Sequence, residues 1–135
     1  MPSTVWSKLQ DVAMRAPVVV PPQTPLRVAA EVMDKESIGA VVVAVDNRTV
    51  GILSERDVVS ALAWGADPDE VTVAAAMSHD VVSLQSDDTL YDAAVDMLDL
   101  GIRHVPVLNE RGTAVGMVSV RDLLRPLLAG SLTPR

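Results

Sequence analysis

The stretch GILSERDVVSAL (Gly51–Leu62) recurs 65 positions later as GMVSVRDLLRPL (Gly116–Leu127). Each copy has a glycine in an apolar run, then the sequence Ser-x-Arg-Asp, and then a second apolar run. A motif repeated within 135 residues predicts a fold that is built twice from one supersecondary unit.

The similarity continues upstream, where the segment beginning at Thr24 aligns with the one beginning at Asp88. Each half has a β-branched run, a capping residue (Thr24 or Asp88), a helix with one apolar face, two apolar runs joined by a polar turn, and a second helix. The β-branched runs are Val18–Val20 and the pair Val81 and Val82; the second helices start at Ser54 and Ser119. This order predicts an α+β fold with two β-α-β-β-α repeats.

We place repeat 1, with an N-terminal segment, at residues 1–66, and repeat 2, with a linker and a short C-terminal tail, at residues 67–135. Half of the chain would form a marginal domain alone. The repeats are therefore expected to pack around a pseudo-twofold axis, with two clefts where they meet.

Composition excludes several classes of function. The chain has no cysteine, so disulfides, thiolate metal sites and cysteine nucleophiles are excluded. A net charge of −7 and few aromatic residues argue against nucleic acid as a partner. No signal peptide or membrane-spanning run is visible, so we expect a cytoplasmic protein without a membrane partner. The two histidines, His79 and His104, fit no catalytic or metal-binding pattern, so we expect no enzyme activity, catalytic residue, metal or cofactor.

The Ser-x-Arg-Asp sequences allow two interpretations. Ser54 with Asp57, and Ser119 with Asp122, have the spacing of a helix capping box, which is a purely structural role. Arg56 and Arg121 would lie at the second helical position, where the helix dipole disfavours a cation. An arginine there is useful if an anion such as phosphate binds at the helix N-terminus, and the aspartate could accept hydrogen bonds from a ribose. A surface arginine without a role stays an alternative.

The whole arrangement resembles a tandem pair of cystathionine β-synthase (CBS) domains, also called a Bateman module. The resemblance runs from about Asp11 to Leu128 and rests on GILSERDV, IRHVPVLNERG, GMVSVRDLL and the segments before them. It implies clefts that bind adenosine-containing ligands: AMP, ADP, ATP, S-adenosylmethionine or NADH. By position, Asp57 and Asp122 would hold ribose hydroxyls. The phosphate-facing residues would be Ser54, Arg56, Ser119 and Arg121, and the base contacts would come from Val18, Ile38, Gly39, Ala40, Val82, Ile102, Arg103 and His104.

The repeats differ where Pro106 of the second repeat aligns with Val42 of the first, and where Arg103 and His104 of the second align with Gly39 and Ala40. We therefore expect two unequal nucleotide sites, with Pro106 in one of them. The function implied is a stand-alone ligand sensor that acts in trans on a protein partner, and the family resemblance implies a homodimer. The alternative is an interaction or structural module whose ligand clefts are vestigial.

Overall fold

The computed structural model describes residues 2–129, and it divides into two compact units. The first-repeat unit is Pro17–Val81, and the second-repeat unit combines Met1–Ala16 with Val82–Arg135. The C-terminal tail expected at the end of repeat 2 falls largely outside the described residues. The elements are, in chain order, α1 (Leu9–Val12), β1 (Val19–Val20), α2 (Leu26–Glu36), β2 (Ala40–Val45), β3 (Arg48–Ser54), α3 (Glu55–Ala63), α4 (Val73–Ala76), α5 (Leu90–Leu100), β4 (His104–Leu108), β5 (Ala114–Ser119) and α6 (Val120–Leu128).

The first-repeat unit has the predicted β-α-β-β-α order. Its sheet has the order β1-β2-β3, in which β1 runs parallel to β2, and β2 runs antiparallel to β3. Asp46 and Asn47 form the turn between β2 and β3 with positive φ at both positions, as a tight two-residue hairpin requires. The core consists of aliphatic residues from the sheet and from α2, α3 and α4: Val20, Leu26, Ala29, Met33, Val41, Val43, Leu53, Ala61 and Val73.

The second-repeat unit repeats the plan with one difference. Strands β4 and β5 form an antiparallel hairpin between α5 and α6, but the strand expected at Val81 and Val82 is absent from the described residues. In this region Leu84 pairs with β4 through a parallel bridge to Val107. The physical reason is Pro106, which has no N–H group. Its counterpart in the first repeat, Val42, donates its N–H to the Val18 carbonyl at 2.9 Å and so holds β1 in the sheet.

The compact units do not coincide with the two stretches of sequence that repeat. Leu9 is fully buried in the core of the second-repeat unit, so the N-terminal segment grouped with repeat 1 packs with the other unit. The linker grouped with repeat 2 also packs with the other unit, because Val73 is fully buried in the core of the first-repeat unit. The predicted boundary at residues 66/67 therefore does not coincide with the division between the compact units.

Two helix starts differ from the expectation. Helix α5 is capped by Thr89 and not by Asp88, because Thr89 has Asp92 three residues later and the two form a capping box. Helix α2 begins after Pro25, and the Thr24 hydroxyl donates to the Pro21 carbonyl instead of capping the helix. Within residues 2–129, no helix is both long and apolar enough to cross a membrane.

Candidate functional site

In the first-repeat unit, one edge of the sheet brings together the predicted site residues. Ala40, the first residue of β2, pairs with Ser54, the last residue of β3. Ser54 is also the N-cap of α3, and the N–H of Glu55 donates to the Gly39 carbonyl at 3.0 Å. Gly39, Ala40 and Ser54 therefore lie beside the first turn of α3, which carries Arg56 and Asp57.

The remaining predicted residues of this repeat lie at the same edge. Val18 precedes β1, and its carbonyl accepts the bond from Val42 described above. Ile38 precedes β2, with its N–H bonded to the Met33 carbonyl at 3.0 Å and its side chain packed against the core. Ala40 is buried, at 3% exposure, so a ligand could contact its backbone but not its side chain.

The second-repeat unit has an equivalent edge. His104, the first residue of β4, pairs with Ser119, the last residue of β5. The N–H of Val120 donates to the Arg103 carbonyl at 3.0 Å, and the N–H of Ile102 donates to the Met97 carbonyl at 3.1 Å. These contacts place Ile102, Arg103 and His104 beside the first turn of α6, which carries Arg121 and Asp122.

Val82 and Pro106 belong to this second edge in a different way. Val82 lies two residues before Leu84, which bridges to Val107 of β4. Pro106 is fully buried, so it does not present a side chain to a ligand. Its influence on the site is through the missing N–H, which leaves Val82 outside the sheet.

The capping boxes predicted at both Ser-x-Arg-Asp sequences are confirmed. In α3, Asp57 Oδ2 accepts the Ser54 N–H at 2.8 Å and the Asp57 N–H donates to Ser54 Oγ at 3.3 Å. In α6 the corresponding distances for Asp122 and Ser119 are 2.9 and 3.2 Å. Capping uses one carboxylate oxygen, Oδ2, and leaves Oδ1 for another partner.

Arg56 and Arg121 occupy the second position of their helices, and both side chains are exposed. Among residues 2–129, neither residue's N–H group has a hydrogen-bond partner. In each helix the N–H group of the preceding residue donates to the carbonyl of Gly39 or Arg103, and the N–H group of the following aspartate donates to the capping serine. Each helix start therefore offers one backbone donor and one guanidinium to an anion.

One residue of the second edge was missed from the sequence. Arg15 Nη1 lies 3.8 Å from Asp122 Oδ1, and the Asp122 side chain is only 6% exposed. The alignment of Met14 with Met77 contains the signal, because it sets Arg15 opposite Ser78. Contact between Arg15 and Asp122, however, depends on how the N-terminal segment packs.

Two further observations concern ligands. An open hollow in the second-repeat unit lies at the other end of the β4–β5 hairpin, beside Leu108 and Asn109, and so away from Ser119. No group of three or more residues that could ligate a metal is found within residues 2–129.

Comparison with known proteins agrees with this geometry. The sequence profile of the CBS domain matches residues 9–63 and 72–129. The chain belongs to the CBS domain family. An uncharacterized 17.7 kDa protein of Acidianus ambivalens is 38% identical over 123 residues, which are 90% of this chain and 74% of that protein. A Methanopyrus kandleri protein is 33% identical over 107 residues, covering 78% of this chain and 54% of the relative.

Solved CBS domain structures share the fold. The CBS domain protein PAE2072 from Pyrobaculum aerophilum, complexed with AMP, has a TM-score of 0.82 at 29% identity and covers 92% of this chain and 97% of its own. The CBS domain pair of protein MJ0100, in complex with 5'-methylthioadenosine and S-adenosyl-L-methionine, has a TM-score of 0.83 at 24% identity, with coverages of 93% and 98%. The α+β fold expected from the sequence is confirmed.

Proposed function

We propose that this CBS domain protein is a regulatory module, without catalytic activity of its own, that binds an adenosine-containing ligand at the sheet edge of each unit. The observation that carries the proposal is the repeated helix start, where an arginine, an unpaired N–H and a carboxylate oxygen lie within one turn. The AMP bound by the Pyrobaculum protein supports the same ligand class here. The candidate ligands are AMP, ADP, ATP, S-adenosylmethionine and NADH.

The proposed roles follow from the chemistry of each group. The N–H and guanidinium of Arg56 or Arg121 bind phosphate, since both are donors close to the positive end of a helix dipole. Asp57 or Asp122 caps its helix through Oδ2 and accepts ribose hydroxyls through Oδ1. The capping role and the ligand role, which the sequence presents as alternatives, are therefore compatible in one carboxylate.

Titration calorimetry with the five candidate ligands tests the proposal. Asp57→Asn and Asp122→Asn each retain an oxygen that can accept the capping N–H, and each loses the charged oxygen offered to the ribose. Each variant is expected to weaken one site by roughly tenfold or more, the equivalent of about 1.5–3 kcal/mol for hydrogen bonds to a charged group. Thermal unfolding, followed by circular dichroism, should change little.

Helix α5 supplies a matched control. Thr89 and Asp92 form the same capping box, with Thr89 N–H to Asp92 Oδ2 at 2.9 Å, but Tyr91 stands where α3 and α6 have arginine. Asp92→Asn should therefore leave ligand binding unchanged. Equal loss of affinity in all three variants would contradict a direct role for the aspartates. No binding of any candidate by the folded protein would favour the interaction module with vestigial sites.

The homodimer is part of this proposal. Apolar side chains of α3 and α6 remain exposed, with exposures of 65% for Val59 and 48% for Leu124, and Trp64 is 61% exposed just after α3. Exposed apolar residues of this kind are typical of subunit interfaces. Light scattering should give twice the chain mass, and Val59→Lys should lower it towards the monomer. Leu98→Lys, at a leucine of α5 that is 83% exposed, is the comparison variant, and an equal fall in mass would contradict an interface formed by α3 and α6.

The cytoplasmic location and the action in trans on a protein partner stay predictions from the sequence. A direct test of regulation is proteolysis or hydrogen exchange with and without AMP. A regulatory module should change the protection of surface segments when its ligand binds.

A further inference from the structure

Arg15 and Ser78 occupy equivalent backbone positions in the two units. Arg15 exchanges two hydrogen bonds with Met117, at 3.1 and 2.9 Å, and Ser78 exchanges the same two with Ile52, at 3.1 and 2.9 Å. Met117 precedes Ser119 by two residues, and Ile52 precedes Ser54 by two. Each residue thus lies beside the strand that leads into the site helix. It is the cationic Arg15 in the second-repeat unit and the hydroxyl-bearing Ser78 in the first-repeat unit.

The Arg15 guanidinium lies beside the carboxylate that the proposed function assigns to the ribose. Its Nη1 is 3.8 Å from Asp122 Oδ1, and the arginine side chain is 51% exposed. The pairing offsets the charge of Asp122 and leaves the other guanidinium N–H groups accessible. Asp57, in contrast, has no ion-pair partner within residues 2–129.

Two further differences also make the second-repeat edge more positive than the first-repeat edge. Val120, the first residue of α6, corresponds to Glu55 in α3, and Arg103 corresponds to Gly39. Their places are equivalent, since Val120 N–H bonds to the Arg103 carbonyl and Glu55 N–H bonds to the Gly39 carbonyl, both at 3.0 Å.

The two edges therefore differ in charge. With His104 neutral, Arg15, Arg103 and Arg121 against Asp122 give the second-repeat edge a formal charge of +2. Arg56 against Glu55 and Asp57 gives the first-repeat edge −1. Charges that lie closer to a bound phosphate than the Debye length, about 8 Å at physiological ionic strength, are screened by salt only in part.

We propose that Arg15 is a specificity-determining residue, which makes the second-repeat site select adenosine ligands with a charged polyphosphate. The first-repeat site, with serine in that place and Glu55 at its helix start, favours adenosyl ligands that carry fewer phosphate charges. This inference rests on the proposed function, because it concerns the preference of the same two sites.

The test exchanges the two residues. Arg15→Ser is made in the Asp57→Asn background, so that the second-repeat site is measured alone, and Ser78→Arg is made in the Asp122→Asn background. Calorimetry compares ATP with adenosine. Arg15→Ser should weaken ATP binding roughly tenfold or more, the range for losing a charge-assisted contact, and should change adenosine binding less than about twofold. Ser78→Arg should strengthen ATP binding at the other site.

Conservative variants and salt separate this role from a structural one. Arg15→Lys keeps the charge and should retain most of the preference for ATP, whereas Arg15→Gln should lose it. The difference between Arg15→Ser and the parent should shrink as salt is raised. An equal loss of ATP and adenosine affinity in Arg15→Ser, or no loss of either, would overturn the inference and leave the proposed function standing. A parent protein that binds neither ATP nor adenosine would overturn the inference, and one that binds no adenosine-containing candidate would overturn the proposed function as well.

Discussion

Replacing Gly51 with alanine tests why the repeated motif begins with glycine. A Cβ at this position would lie 2.9 Å from the Ser78 carbonyl oxygen and 3.0 Å from Met77 Cε, with Met77 Sδ nearer still. Ordinary contacts between carbon atoms are about 3.5–4.0 Å, and the Ser78 carbonyl is held by its hydrogen bond to Ile52. The glycine therefore allows the backbone at Met77 and Ser78 to lie against β3.

The expected cost follows from two opposing contributions. Overpacking of this kind costs about 1–3 kcal/mol, and alanine in a strand recovers about 0.5–1 kcal/mol relative to glycine. Gly51→Ala should thus lower the free energy of unfolding by roughly 1–2 kcal/mol, which lowers the melting temperature by about 3–10 °C in a domain of this size. Urea unfolding and calorimetry measure both quantities.

Gly116 provides the comparison for this prediction. The three atoms nearest to a Cβ there all belong to the Met14 side chain, with Cγ at 2.6 Å and Cε at 3.0 Å. Since a methionine side chain can change rotamer and a carbonyl in a bridge cannot move freely, Gly116→Ala should cost less than Gly51→Ala. A Gly51→Ala protein as stable as the parent, or a larger loss for Gly116→Ala, would refute the reasoning.

Three further predictions concern the units. Leu9→Ala should cost about 2–5 kcal/mol in chemical unfolding, because this residue of α1 is fully buried in the second-repeat unit; a loss below about 1 kcal/mol would contradict that packing. Pro106→Val supplies an N–H for the Val82 carbonyl, so the new amide should be protected in hydrogen exchange; rapid exchange would refute the explanation given for the missing strand. The hydrogen bonds from the exposed Arg27 side chain lower the pKa of Asp69, so this pair stabilises the fold above the ordinary aspartate pKa. The contribution is lost as the pH falls through the lowered value. Asp69→Asn should therefore melt slightly lower than the parent near neutral pH and equally in strong acid, and a difference that persists in acid would contradict the pairing.

Much of the local structure could be predicted from the sequence. The helices α2, α3, α5 and α6 and the two hairpins follow from residue periodicity and turn composition, which act between neighbours in the chain. The capping boxes at Ser54 and Ser119 were also visible, because serine and aspartate three residues apart suffice to form one. At Thr89 the same rule applies, but Asp88 beside it also resembles a cap, and only the structure separates the two.

The candidate site was only partly predictable. Its strand ends and helix starts could be placed beside each other, because the β-β-α order brings residues 38–40 to 54–57 and residues 102–104 to 119–122. Its ligand preference could not be deduced in the same way, because Arg15 reaches the site from a distant part of the chain. The assignment of ligand roles to these residues stays a prediction.

The β-α-β-β-α order of the first repeat, the α-β-β-α order of the second, and the two helix starts that carry serine, arginine and aspartate therefore follow from the sequence alone. Contacts between distant residues were decided only by the tertiary structure. The N-terminal segment packs with the second-repeat unit, which brings Arg15 to Asp122, and Pro106 leaves Val82 out of the sheet. The physical reason is that capping and periodicity depend on neighbours within a few residues, whereas an ion pair or a strand bridge depends on which surfaces meet after folding.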